Sequence, residues 1–184
     1  MNELSLHILD ICQNSIQANA TLIEILIDEQ PASNRFSITI RDNGHGMDEK
    51  TLSEVADPFY TTRTTRKVGM GISLFKMAAE QAGGSFTITS KPNQGTQVVA
   101  TFAHDHLDRA PLGAIGDTLL ILILNEAGID IRYEHVVNDH TYVFDTRDVK
   151  QILNGIPLTD SDVIMWVKNN ITEGITSIHK EESL

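Results

Sequence analysis

A mixed α/β fold is what this 184-residue sequence predicts, and three observations carry the prediction. Residues 3–18 repeat apolar side chains at helical spacing. Residues 36–40 alternate apolar and polar, the period of a half-buried strand. The strand-like segments come in pairs joined by turn chemistry, and helical stretches separate the pairs. A hydrophobic content of 41% lies within the globular range and argues against disorder.

In the first helix Leu4, Ile8, Ile11, Cys12 and Ile16 make one stripe, which places Cys12 in the core as a small apolar residue. Glu3, His7, Asp10, Asn14 and Gln17 run along the other side, so Asp10 and Asn14 are neighbours on one face. Taken alone, that stripe reads as a solvated face. Residues 22–28 and 36–41 are strands around Gln30-Pro31-Ala32-Ser33-Asn34 and predict an antiparallel hairpin. The second strand runs into Asp42-Asn43-Gly44-His45-Gly46-Met47, after which Asp48 caps a short helix reaching about residue 55. Residues 57–69 lack periodicity and read as a mobile loop. A helix over 70–82 ends at Gly83-Gly84, and strands over 85–90 and 96–102 follow. Beyond them the pattern gives a helix (112–127), two strands (129–137 and 141–144) about Asn138-Asp139, and helices from 146 and 160.

The charge limits the function classes. With 14 Lys and Arg against 25 Asp and Glu the formal net charge is −11, which argues against a broad basic surface for nucleic acid or anionic lipid. One cysteine excludes an internal disulfide framework and fits a reducing compartment. The first residues lack the basic and apolar regions of a signal peptide, and the longest apolar run, 119–124, falls far short of the ~20 residues of a membrane span. A soluble, cytoplasmic protein is expected. The acidic excess is concentrated after residue 103, beyond a polar stretch ending in Pro111. A first domain over 1–103, a linker over 104–111 and a small α/β domain over 112–184 are therefore expected. The run 119–124 reads as a buried helix, with a homodimer or partner interface as the alternative.

Four local features carry chemistry: Asp10-x-x-x-Asn14, Asp42-x-Gly44-x-Gly46, Gly69-x-Gly71 and Gly95-Thr96. A carboxylate at a strand end accepts a hydrogen bond from an exocyclic amine, and adjacent glycines let the backbone approach a ring. Glycines opening a helix leave its unpaired N–H groups and positive dipole end open to phosphate. The amide oxygen of Asn14 suits Mg²⁺, a hard ion that takes oxygen ligands. Arg63, Arg66 and Lys67 supply positive charge from the loop. His104, Asp105, His106 and Asp108, with His135 and His140 downstream, are metal-ligating types, but the first group falls in the linker and no fixed convergent set is expected.

In that order the features resemble the GHKL superfamily of ATP-binding domains, found in DNA gyrase B, the large heat-shock chaperone, histidine kinases and MutL mismatch-repair proteins. Residues 9–21 (LDICQNSIQANAT) resemble the N box and residues 42–47 (DNGHGM) the G1 box. Residues 57–63 (DPFYTTR) are similar to the F box and lid start, 69–74 (GMGISL) to the G2 box, and Gly95-Thr96 to the late Gly-Thr. The resemblance covers residues 3–103. It implies a Bergerat-type sandwich, a mixed sheet with helices on one face. It places Mg²⁺ on Asn14, the adenine amine on Asp42, and Gly44, Gly46, Met47 and Thr96 about the base. Thr61, Thr62, Arg63, Lys67, Gly69, Met70 and Gly71 fall at the phosphates and their lid, residues 57–70.

The departures from that family narrow the function. About nine residues precede Asp10, too few for the phosphoacceptor hairpin of histidine kinases, so self-phosphorylation on histidine is not expected. Gln17 stands where the kinase branch often has a basic residue. Asp10, four before the Asn, stands where ATP-hydrolysing members and anti-sigma-factor serine kinases carry Glu as the base. ATP cleavage with Mg²⁺ is expected, the phosphate passing to a protein Ser or Thr or to water. The alternative is a non-catalytic ATP-dependent module that switches a partner protein.

Overall fold

Two strands, Leu22–Gln30 (β1) and Arg35–Asp42 (β2), form the expected hairpin, antiparallel from Ile23 opposite Asp42 to Gln30 opposite Arg35. A 3-10 turn over Pro31–Ser33 joins them, and Asn34 closes it in the left-handed region at φ 51°. These are features of a computed structural model that describes residues 3–55 and 70–180. Phe86–Lys91 (β3) and Gly95–Ala103 (β4) make the second hairpin, and β4 adds antiparallel to the free side of β2.

The helices are Leu4–Gln17 (α1), Glu49–Val55 (α2), Met70–Gln81 (α3), Ile115–Ile123 (α4), Thr146–Leu153 (α5) and Ser161–Lys180 (α6). Asp48 caps α2 as its position suggested, accepting from the Thr51 N–H at 2.7 Å. The helix expected over 112–127 is shorter, because the chain turns through Gly113 at φ 77° before α4 begins.

Residues 112–184, expected as a small α/β domain, contribute their strands to the same sheet rather than to one of their own. Asp130–Val137 (β5) pairs parallel with β1, Leu22 opposite Asp130 and Glu29 opposite Val137, and His140–Asp145 (β6) pairs with β5. The result is one six-stranded mixed sheet in the order β3-β4-β2-β1-β5-β6. Local alternation marks β5 as a strand but carries no information about which neighbour it takes. The linker is pinned as well. The carbonyls of its last residue, Pro111, and of the following Leu112 accept the Leu4 and Ser5 N–H groups at 2.9 Å each, supplying α1 with the cap that Glu3 does not give.

Alternation places Ile23, Ile25, Ile27, Phe36, Ile38, Ile40, Val98, Ala100, Phe102, Ile131 and Tyr133 on one buried face. Leu4, Ile8, Ile11 and Cys12 of α1, Phe75 and Ala79 of α3, Leu119 and Leu122 of α4, and Val167 and Ile171 of α6 fill the same core. On the opposite face Glu24, Leu26, Thr39, Arg41, Arg132 and Glu134 are half-buried or exposed, so among the described residues the sheet is covered on one side only. The helix carrying residues 119–124 is mostly core, although Ile121 is exposed. Cys12 is buried as expected. The polar stripe of α1 is not a solvated face throughout: His7 is buried and stacks on Phe75, ring centroids 5.1 Å apart.

Candidate functional site

The last residue of β2 is Asp42, and strand alternation turns its side chain inward, toward α1, where it is 8% exposed. A carboxylate there needs donors, and it has three. The Gly44 and Thr96 N–H groups donate to Oδ1 at 2.9 and 3.2 Å, and the Ser15 hydroxyl donates to Oδ2 at 2.6 Å. Two carboxylate oxygens offer about four lone-pair sites. Three donors orient the group and leave acceptor capacity on Oδ2.

The turn after Asp42 is tied to the chain between α1 and β1. The Thr21 and Leu22 N–H groups donate to the Asn43 side-chain oxygen at 2.8 and 3.0 Å, and His45 N–H donates to the Ala18 carbonyl at 2.9 Å. Gly46 has φ 64°, and a Cβ there would lie 2.0 Å from the Lys91 carbonyl oxygen, so the turn passes over the β3–β4 connection only as glycine. Ser90 ties the same corner together: its hydroxyl accepts from Met47 N–H, donates to the Gly95 carbonyl and meets the Thr96 hydroxyl, each at 2.9 Å.

Asp10 and Asn14 lie one turn apart on α1, both half-buried. Asp10 faces the first turn of α3, where a Cβ added to Gly71 would stand 2.9 Å from the Asp10 Cβ and 3.3 Å from its Oδ2. Burial pushes the Asp10 carboxyl above its ordinary range. The start of α3 also carries the positive end of the helix dipole.

Asp42, Gly44, Gly46, Met47 and Thr96 thus meet at one corner of the sheet, tied to α1 through Ser15, while Asp10, one turn from Asn14, meets Gly71 at the start of α3. Met70 opens α3 and is exposed. Thr61, Thr62, Arg63, Lys67 and Gly69, with the expected lid, lie outside the described residues. Ser15 and Ser90 belong to the corner and were not expected there. Ser15 is a small polar residue on the apolar side of α1, between Cys12 and Ile16, and that misfit was its only signal. Of the histidines, His104 and His135 do converge, but at the far end of β1 and with residues not expected to join them.

The arrangement has the chemistry for a purine nucleotide. A fixed acceptor stands beside a glycine-containing turn, the start of a helix abuts Asp10, and two side chains carry hard oxygens on one face of α1. Family comparison agrees. The profile of the histidine kinase-, DNA gyrase B- and HSP90-like ATPases matches residues 2–106. The chain belongs to that family of ATPase domains. The sensor histidine kinase YvrG of Bacillus subtilis is 28% identical over 93 residues, 48% of this chain and 16% of that protein. The sensor protein kinase FleS of Pseudomonas aeruginosa is 32% identical over 108 residues, 59% of this chain and 26% of that protein. The chain therefore spans about a quarter or less of those two relatives. A solved structure, the N-terminal domain of a DNA repair protein, matches 78% of this chain and 52% of its own with a TM-score of 0.50 at 20% identity, a likeness of fold alone. Among the described residues no helix is long and apolar enough to cross a membrane.

Proposed function

We propose that the chain is an ATP-dependent regulatory protein that binds ATP with Mg²⁺ at the corner around Asp42 and cleaves it. The three-donor hold on Asp42 carries the reading, because it aims one acceptor at the position of an exocyclic amine. Asp42 selects adenine, with Gly44, Gly46, Met47 and Thr96 about the base. Gly69, Met70 and Gly71 take the phosphates, with Thr61, Thr62, Arg63 and Lys67 reaching them from residues 57–70. The oxygen donors of Asn14 and neighbouring Asp10 fit Mg²⁺, and Asn14 would hold it; the bound ion would draw charge from the terminal phosphate.

Asp10 is the base in this reading. Its partly buried carboxylate has a raised proton affinity, which suits it to orient a hydroxyl or water and accept its proton. The acceptor is a protein Ser or Thr, or water, in the cytoplasm. Incubation with γ-labelled Mg-ATP and cell extract tests this by following free phosphate and labelled protein separately. Turnover is expected in the wild type, with a fall of ~10²–10⁴-fold in Asp10→Asn while ATP still binds. Binding without phosphate release or transfer in the wild type would overturn the enzyme and leave an ATP-dependent switch.

A further inference from the structure

Three histidines gather on Glu29, near the end of β1. Asp42 pairs with Ile23, six residues earlier on the same strand, so the cluster stands about 20 Å from the corner described above. The Nε2 atoms of His135 and His179 lie 2.7 and 3.2 Å from Glu29 Oε1, and that of His104 lies 3.3 Å from Oε2. The donor atoms of Glu29, His135 and His179 all fall within 4.8 Å of one another. His135 is fully buried on β5, His179 sits in the last turn of α6, and His104 follows β4. Segments 75 to 150 residues apart in sequence therefore meet at one carboxylate.

The ring tautomers decide what the cluster is for. His179 Nδ1 lies 2.8 Å from the Ile175 carbonyl oxygen, which can only accept, so Nδ1 carries the hydrogen. In the neutral ring the Nε2 lone pair then faces a carboxylate oxygen, and two lone pairs at 3.2 Å require a cation between them. His135 Nδ1 lies 2.8 Å from the buried Tyr133 hydroxyl. Histidines that bind metals through Nε2 usually have Nδ1 fixed by such a partner, and the ligating carboxylate is itself hydrogen-bonded, as His104 does here on Oε2. Arg109 Nε holds the His104 carbonyl at 2.7 Å and so fixes that segment. Ligands about 2.0–2.2 Å from a tetrahedral zinc stand about 3.4 Å apart, a spacing that small side-chain rotations give these three atoms.

We propose that Glu29 Oε1, His135 Nε2 and His179 Nε2 bind a divalent transition-metal cation, with Zn²⁺ as the representative ion. Two imidazoles and a carboxylate suit zinc and leave its fourth position to water. The ion clips the last turn of α6 onto β1 and β5. The site shares no ligand with the nucleotide corner, so its test runs without nucleotide and stands or falls separately.

Calorimetric titration of the chelator-treated full chain with ZnCl₂ tests it. One ion per chain is expected. Glu29→Gln and His179→Ala should weaken binding at least tenfold, and His106→Ala should leave it unchanged. Because His135 is buried and its variants risk misfolding, the half-exposed His179 is the primary probe; folding of each variant is checked by circular dichroism. Co²⁺ should give visible ligand-field bands that His179→Ala abolishes. Zinc should slow hydrogen exchange in the last turn of α6 in the wild type only. Absence of stoichiometric binding, or binding unchanged in His179→Ala, would overturn the proposal. The first result would leave a proton as the cation between Glu29 and His179.

Discussion

Replacing Asp42 with Asn should be a mild change to the fold and, in the proposed site, a severe one to adenine recognition. Oδ1 accepts two N–H groups, so the amide oxygen takes that place and the NH₂ takes the place of Oδ2. Ser15 can then accept instead of donate, because a hydroxyl does either. In the proposed site, the group offered to adenine then changes from acceptor to donor. Loss of a charge-assisted bond costs ~1.5–3 kcal/mol, so calorimetry should show ATP affinity falling by one to two decades and preference over GTP shrinking, with the unfolding midpoint little changed. His7 gives a prediction about pH. Burial holds its imidazole at about 4 against an ordinary 6.5. Between those values the unfolded chain binds a proton that the folded chain refuses, so stability falls as pH drops through that window. Above 6.5 the contribution of His7 no longer changes with pH. The loss is at most about 3 kcal/mol by pH 4. Urea unfolding at pH 7.5 and pH 5 should show a smaller difference in His7→Phe than in the wild type.

At the scale of elements, the approach of α1 to α3 rests on a missing side chain. Gly71→Ala would put a methyl against Asp10, and α3 must back away or Asp10 must rotate. Overpacking of this kind costs about 1–3 kcal/mol. The proposed site adds a finer expectation: affinity for ATP should fall more than affinity for adenosine, because the shift occurs at the phosphate end. Equal losses for both would remove the start of α3 from the phosphate site. Elements of this chain were legible because each carries a local signal: the stripe of α1, the alternation of β2, the Asn-Asp turn before β6. Asp42 and its glycines were legible as a motif of fixed spacing. Ser15, Ser90 and Glu29 were not, since each gains its partners across 27 or more residues or from a turn whose geometry no single residue type announces. The convergence of His104 and His135 was hidden for the same reason, for it depends on the parallel placement of β5.

The described residues form one sheet and one core: the segment after the linker adds β5 and β6 together at the β1 edge and packs α4 and α6 into the core that α1 and α3 fill. Unfolding should then be a single transition. Trp166, the only tryptophan, lies on α6 and reports the later segment by fluorescence, whereas far-ultraviolet circular dichroism reports every element. Coincident urea curves from the two probes are expected. A fluorescence change that precedes the loss of ellipticity would mean that the last helix and strands form a separate unit.

The parallel pairing of β1 with β5 also has a consequence on the ribosome. Leu22 finds its neighbour only when Asp130 has been made, 108 residues later by their numbering. At 5–20 residues per second that interval is roughly 5 to 20 s, during which one side of β1 is a bare edge. Its Ile23, Ile25 and Ile27 are apolar, and an edge of that kind templates pairing with any other strand that reaches it. Nascent chains on one messenger stand close enough for such pairing. A fragment ending near residue 110 keeps that edge permanently and should self-associate in sedimentation, while the full chain, with β5 in place, offers no strand of β1 to a neighbour.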